Sequence, residues 1–167
     1  MRLPAYGRGT TRMPILDPPT GMRTHEVSTP VPPHRRAAVA ELVSSWELKR
    51  RVGFGAPAGQ PTPDAEGMLS LRVLGILFRE PVRVVWAGEA GFGYETRRGH
   101  PLYGEESFEL TEDGLFTARS LSCPASPMWR LLGPLLRAMQ RRTMAGYLRE
   151  VTAVSEGSFA VSSRKGQ

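Results

Sequence analysis

The chain has 167 residues, enough to bury roughly two-thirds of its unfolded surface around one core, and its 40% hydrophobic and 23% charged residues exclude disorder of the whole chain. Its formal charge of +6 rests almost wholly on arginine, since Lys49 and Lys165 are the only lysines, and a lone cysteine, Cys123, excludes an intramolecular disulfide and any zinc site built on several thiolates. No apolar run reaches the length of a signal peptide or a membrane span, so a soluble chain in a reducing, cytoplasmic setting is expected.

Residues 1–21 hold Pro4, Pro14, Pro18 and Pro19 with glycines between, and read as an extended N-terminal arm. A single domain is expected over 22–155 and a flexible polar tail over 156–167. Met22 to Val31 reads as a first strand, stopped by Pro30, Pro32 and Pro33. From Pro33 to about Arg51 the spacing of Val39, Leu42, Val43 and Trp46 predicts one helix with a single buried face. Gly53 to Gly67 is rich in glycine and proline and reads as a long loop.

A strand-rich block follows: Met68 to Phe78, Pro81 to Ala87, Gly91 to Thr96, Glu105 to Leu110 and Leu115 to Ser122. Turns are expected at Arg79-Glu80-Pro81, at 88–91, at Gly99-His100-Pro101 and at Glu112-Asp113-Gly114. Period-two alternation places Val82, Val84 and Trp86 on one face, and Phe116, Ala118, Ser120 and Ser122 on one face of the last strand. Ser126 to Val151 predicts a long amphipathic helix with a stripe of Met128, Leu132, Leu135, Met139, Thr143 and Tyr147, capped by Ser126; Gly133-Pro134 either kinks it or starts a second helix. This order predicts an α+β helix-grip fold, a curved antiparallel sheet wrapped around a long C-terminal helix with a cavity between them.

The chemistry is densest over 91–108, GFGYETRRGHPLYGEESF, where Tyr94, Thr96, His100, Glu105 and Glu106 stand among four glycines that mark turns or bulges. His100 with Glu105 or Glu106 is a candidate acid–base pair, although adjacent glutamates on a strand point to opposite faces and only one of them reaches a shared site. His25, His34 and His100 are scattered and lack the paired-histidine spacing of zinc hydrolases, so no metal and no cofactor is expected. Gly91-Phe92-Gly93 does not open a nucleotide-binding loop, and Cys123 lacks the partners of a nucleophile.

The same stretch resembles the pattern G-F-x-Y-G-T-L-P-G-H-P-x-x-G-E-E-x-F of the bacterial and plant family designated DUF1990, through Gly91, Phe92, Tyr94, Thr96, Gly99, His100, Pro101, Gly104, Glu105, Glu106 and Phe108. Tyr6-Gly7, Trp46, the Ser122-x-Pro124-Ala125 element, Gln140 and Tyr147-Leu148 extend the resemblance over about 6–151. Glu95, Arg97, Arg98 and Cys123 depart from it. The family is similar to the Bet v 1 and START-like superfamily, which implies a helix-grip domain holding a small apolar or amphipathic molecule beneath its terminal helix.

The leading expectation is therefore a non-enzymatic binder of such a molecule. Tyr94, Thr96, His100 and Glu105 would orient its polar atoms, and Trp86, Leu132, Leu135 and Met139 would line or support the interior. Two alternatives stand beside it: an enzyme of hydrolase or cyclase type using His100 with Glu105 or Glu106, and an interaction module using the arginine face of the last helix. Nucleic acid is not expected as a partner, because no aromatic or recognition element accompanies the basic residues, and oligomeric state is left open.

Overall fold

Six strands form one antiparallel sheet: β1 (Arg23–Pro30), β2 (Glu66–Val73), β3 (Ile76–Gly88), β4 (Gly91–Thr96), β5 (Leu102–Leu110) and β6 (Leu115–Pro124). In this computed structural model, which describes residues 2–73 and 75–157, their order is β1-β6-β5-β4-β3-β2, so β2 to β6 meander and the first strand closes against the last. Helices α1 (Arg36–Val43) and α2 (Glu47–Arg51) lie between β1 and β2, and α3 (Pro127–Leu131) and α4 (Gly133–Glu156) follow β6. α4 packs along β1 and β6, and α1 and α2 pack against it. This is the helix-grip arrangement that the element order predicts. The tail expected over 156–167 lies outside the described residues from 158 onward.

Strand register sets three successive rows on the inner face, the one turned to α4. Phe92, Phe108, Ala118 and Val27 are lateral neighbours in the first row. Tyr94, Glu106, Ser120 and His25 form the second. Gly104, Ser122 and Arg23 form the third, joined by Thr96, whose Oγ1 accepts the Gly104 N–H at 2.9 Å. The first row is packed solid, as rings stack edge to face from Trp46 to Phe92 (4.7 Å between centroids) and from Phe108 to Tyr147 (4.8 Å), with Val39, Val43, Val151 and Val154 around them.

Four expectations are corrected. The helix over 33–51 is broken, with α1 ending where Ser44 N–H bonds Ala40, and with Ser45 Oγ bonding both the Leu42 carbonyl and the Glu47 N–H. Two serines offering such local bonds compete with helical propagation. The expected turn at Arg79-Glu80-Pro81 is strand, and the chain reverses instead at Gly75, whose φ of 82° suits glycine. Pro81 is tolerated inside β3 because its carbonyl accepts from Arg97 N–H while the Arg97 carbonyl takes the His100 N–H, so no acceptor waits for the N–H that proline lacks.

Trp86 does not share a face with Val82 and Val84. A bulge between Val84 and Trp86 inserts one residue and flips the alternation, so Trp86 sits on the outer face opposite Gly93, where a Cβ would collide with its indole. The apolar stripe of the terminal helix is also displaced. Met128, Leu132 and Leu135 are exposed, the last two at 40% and 45%, while Leu136, Met144, Tyr147, Val151 and Val154 are buried. The break at Leu132, with Gly133 and Pro134 starting α4, resets the helical phase, so a stripe counted from Met128 through 132 and 135 misses the buried line; α4 then continues past Val151 to Glu156.

The N-terminal arm crosses the outer face. Glu105, 2% exposed, accepts bonds from Gly9 N–H (2.7 Å), Thr11 N–H (3.0 Å) and Thr11 Oγ1 (2.6 Å), and Ser107 Oγ donates to the Thr11 carbonyl at 2.9 Å. Tyr6 meets Tyr103 edge to face, and Arg12 lies 4.9 Å over Trp86. Met22, Leu121 and Cys123 make a small second core under this arm.

Candidate functional site

The second inner row carries a buried ionic network. Lys49, one helical turn beyond Trp46 and 3% exposed, donates from Nζ to Glu106 Oε2 at 2.6 Å and to the Tyr147 hydroxyl at 2.5 Å. The Glu106 carboxylate also accepts from the hydroxyls of Tyr94 and Tyr147. Rings of Phe54, Tyr94, Tyr147 and Phe108 surround the ammonium at 4.4 to 5.7 Å. Burial first, and then the neighbouring Glu106 charge, pushes both tyrosines well above the ordinary phenol range, so they remain neutral donors.

Beyond this network the space between sheet and α4 opens. A half-open cavity of about 80 Å³ lies there, several times the ~10–15 Å³ that one water needs. Phe54, Leu71, Leu136 and Met139 give it apolar walls, and Thr96, His100, Ser120, Ser122, Gln140 and Thr143 give it hydrogen-bonding groups. Gln140 Nε2 donates to Ser120 Oγ (2.8 Å) and Ser122 Oγ (3.1 Å), tying α4 to β6 across the cavity. The shape follows from the rows: large rings fill the first, while Thr96, Gly104 and Ser122 are too small to fill the third.

His100 borders the cavity and is buried. Its Nδ1 accepts the Leu102 N–H at 2.9 Å, which leaves the proton of a neutral ring on Nε2, and Nε2 stands 3.5 Å from Glu80 of β3. For Glu80, burial raises the carboxyl pKa, but the His100 bond and charge, with Lys49 behind them, outweigh it and hold the group below its ordinary value.

The structure thus brings Tyr94, Thr96, His100 and Met139 together with Glu106 around one cavity, and separates the others. Glu105 borders the cavity, but its carboxylate bonds the arm on the opposite face of the sheet, as strand alternation requires. Trp86, Leu132 and Leu135 are not among the residues lining it, for the bulge and phase reasons given above. The expected pairing of His100 with Glu105 or Glu106 is replaced by His100 with Glu80. Burial raises the Cys123 thiol pKa and so disfavours the thiolate, outweighing the opposite pull of Arg130. Among the described residues, no three His, Cys, Asp or Glu side chains gather in a way that would hold a metal, and no helix is long and apolar enough to cross a membrane.

Lys49 and Glu80 were missed by the sequence reading, and both had a signal. Lys49 continues the buried series 39, 42, 43, 46 by one more step of three, and Glu80 shares the parity of Val82 and Val84.

Residues 8–150 match the family described as Domain of unknown function (DUF1990). The chain belongs to that family. No curated protein matches it. Several solved structures share the fold of this DUF1990 chain at low identity. Protein Ms6760 from Mycobacterium smegmatis superposes with a TM-score of 0.56 at 12% identity, covering 83% of this chain and 93% of that one. TTHA0849 from Thermus thermophilus gives 0.53 at 14%, covering 83% and 99%. The di-domain ARO/CYC StfQ of the steffimycin biosynthetic pathway gives 0.53 at 15%, covering 82% of this chain and 52% of that one. At such identities the likeness is one of fold alone.

Proposed function

We propose that this DUF1990 protein binds a small amphipathic molecule in the cavity between the sheet and α4, without transforming it. The observation that carries this reading is the cavity itself, half open, with Phe54, Leu71, Leu136 and Met139 facing Thr96, Ser120, Ser122 and Gln140. Apolar walls with a few converging polar groups are what a small amphipathic ligand needs for affinity and orientation. The packing of the rest of the interior supports it, since the same fold closes completely where rings are supplied.

The groups suited to acid–base work are already engaged. Nδ1 of His100 is held by a backbone N–H and Nε2 faces Glu80, so the imidazole has no lone pair to offer as a general base. Glu106 is engaged by Lys49 and by two tyrosine hydroxyls. Native mass spectrometry of freshly purified protein, followed by thermal shifts against a lipid and metabolite panel, tests binding. A bound species or a stabilising compound is expected in wild type, and its loss in Thr143→Trp, which fills the cavity. No bound species and no stabilisation across the panel would contradict it. Turnover of any ligand found, lost in His100→Ala, would contradict the non-catalytic part.

A further inference from the structure

A second, smaller cavity of about 40 Å³ adjoins the first and shares four of its wall residues, Leu102, Ser122, Leu136 and Gln140. The Gln140 to Ser122 hydrogen bond is the partition between them. On the far side of that partition stand Arg23 of β1 and Arg137 of α4. Their placement follows from register and helical spacing. Arg23 is the direct cross-strand neighbour of Ser122, and Arg137 lies one turn before Gln140 on α4.

The electrostatics of this corner are one-sided. Among the described residues, no ion pair joins Arg23 or Arg137 to a carboxylate. His25, next along the inner face of β1, is held below the usual imidazole range by burial first and then by Arg141 and Arg23, so Arg23 presents its charge to this inner face. Arg23 is exposed and Arg137 half-buried, so water screens much of the repulsion between them, and an anion seated between the two would gain charge-assisted hydrogen bonds from both. The guanidinium is also the side chain best matched to the paired oxygens of a carboxylate or phosphate.

From this juxtaposition we infer that the ligand is an anionic amphiphile, with a carboxylate or phosphate head between Arg23 and Arg137 and an apolar body running past Leu136 into the main cavity. The inference rests on the binding reading above and adds the charge, orientation and class of the ligand. The Gln140 and Ser122 groups then lie where head meets body, and their bond must open or bend for the ligand to cross.

Calorimetric titration of the full chain at low salt separates the two readings. The probes are decanoate, decanol and inorganic phosphate, the first two below their aggregation concentrations, each applied to wild type and to the double variant Arg23→Gln, Arg137→Gln. Decanoate is expected to bind wild type roughly tenfold or more tighter than decanol, the scale of one charge-assisted hydrogen bond. In the double variant that gap should close to within about twofold, with decanol affinity unchanged and the melting curve intact. Phosphate alone should bind far more weakly than decanoate. Decanol binding as tightly as decanoate, or a preference for decanoate that survives the double substitution, would overturn the anionic head while leaving the cavity reading in place. Phosphate binding as tightly as decanoate would overturn the amphiphile in favour of a plain anion. No binding of either decyl compound would remove both readings together.

Discussion

The two ends of the space between the sheet and α4 are built by the same four strands and the same helix, yet one is solid and the other hollow. At the solid end Phe92, Phe108, Tyr147 and Trp46 interlock. At the hollow end the strands and α4 offer Thr96, Gly104, Ser122 and Gln140 instead. Side-chain volume, row by row, decides where the fold keeps a cavity. The ionic row of Lys49, Glu106, Tyr94 and Tyr147 is the wall between the ends.

The comparison breaks most visibly in stability. Phe108→Ala removes the centre of the ring stack and is expected to cost about 3–5 kcal/mol in denaturant unfolding, whereas Leu132→Ala, on an exposed residue, should stay within about 0.5 kcal/mol. Equal losses would mean that the solid end is not the core.

Next in size is the wall. Lys49→Met leaves the Glu106 carboxylate buried without its cation and is expected to cost about 3 kcal/mol, while Lys49→Met with Glu106→Gln, which removes the charge and keeps an oxygen for the Tyr94 and Tyr147 hydroxyls, should recover most of that. Additive losses in this double-mutant cycle would show that the two groups are not coupled.

The arm on the outer face should matter less. Glu105→Gln weakens three charge-assisted bonds to Gly9 and Thr11, with an expected loss of about 1–2 kcal/mol and faster proteolysis within the first dozen residues. Unchanged proteolysis would mean that the arm is held by other contacts.

The smallest effect is one of pH. The folded-state pKa of Glu80 lies below its ordinary value of 4.5, so its stabilising contribution is present above the unfolded value and fades as pH falls through the lowered folded one. His100→Gln weakens the interaction that lowers it, and the acid limb of stability against pH should become shallower. An unaltered limb would show that His100 does not hold Glu80.

The helix-grip order, the turns at Glu89-Ala90 and Asp113-Gly114 and the burial of Trp46 were legible because glycine, proline and period-three spacing act locally. The division of labour between Glu105 and Glu106 was half legible, since alternation separates them but cannot say which faces α4. The misplacement of Trp86 and of the terminal-helix stripe had one cause, a shift of phase. The bulge at Val85 moved Trp86 to the outer face, and the break before α4 moved Leu132 and Leu135 to the surface. Neither shift leaves a mark in periodicity, because a pattern counted through an inserted or unwound residue still looks regular. The partnership of His100 with Glu80 was hidden differently, by reading Arg79-Glu80-Pro81 as a turn when the neighbouring turn had already satisfied the proline.

The most direct test of the hollow end is an amide-resolved NMR titration of the protein with decanol. Shifts are expected at Thr96, His100, Ser120, Ser122, Gln140 and Thr143, with Phe92, Phe108 and Val151 unmoved. Shifts confined to Leu131, Leu132 and Leu135 on the exposed rim, or spread evenly over both ends, would contradict a cavity that receives a ligand.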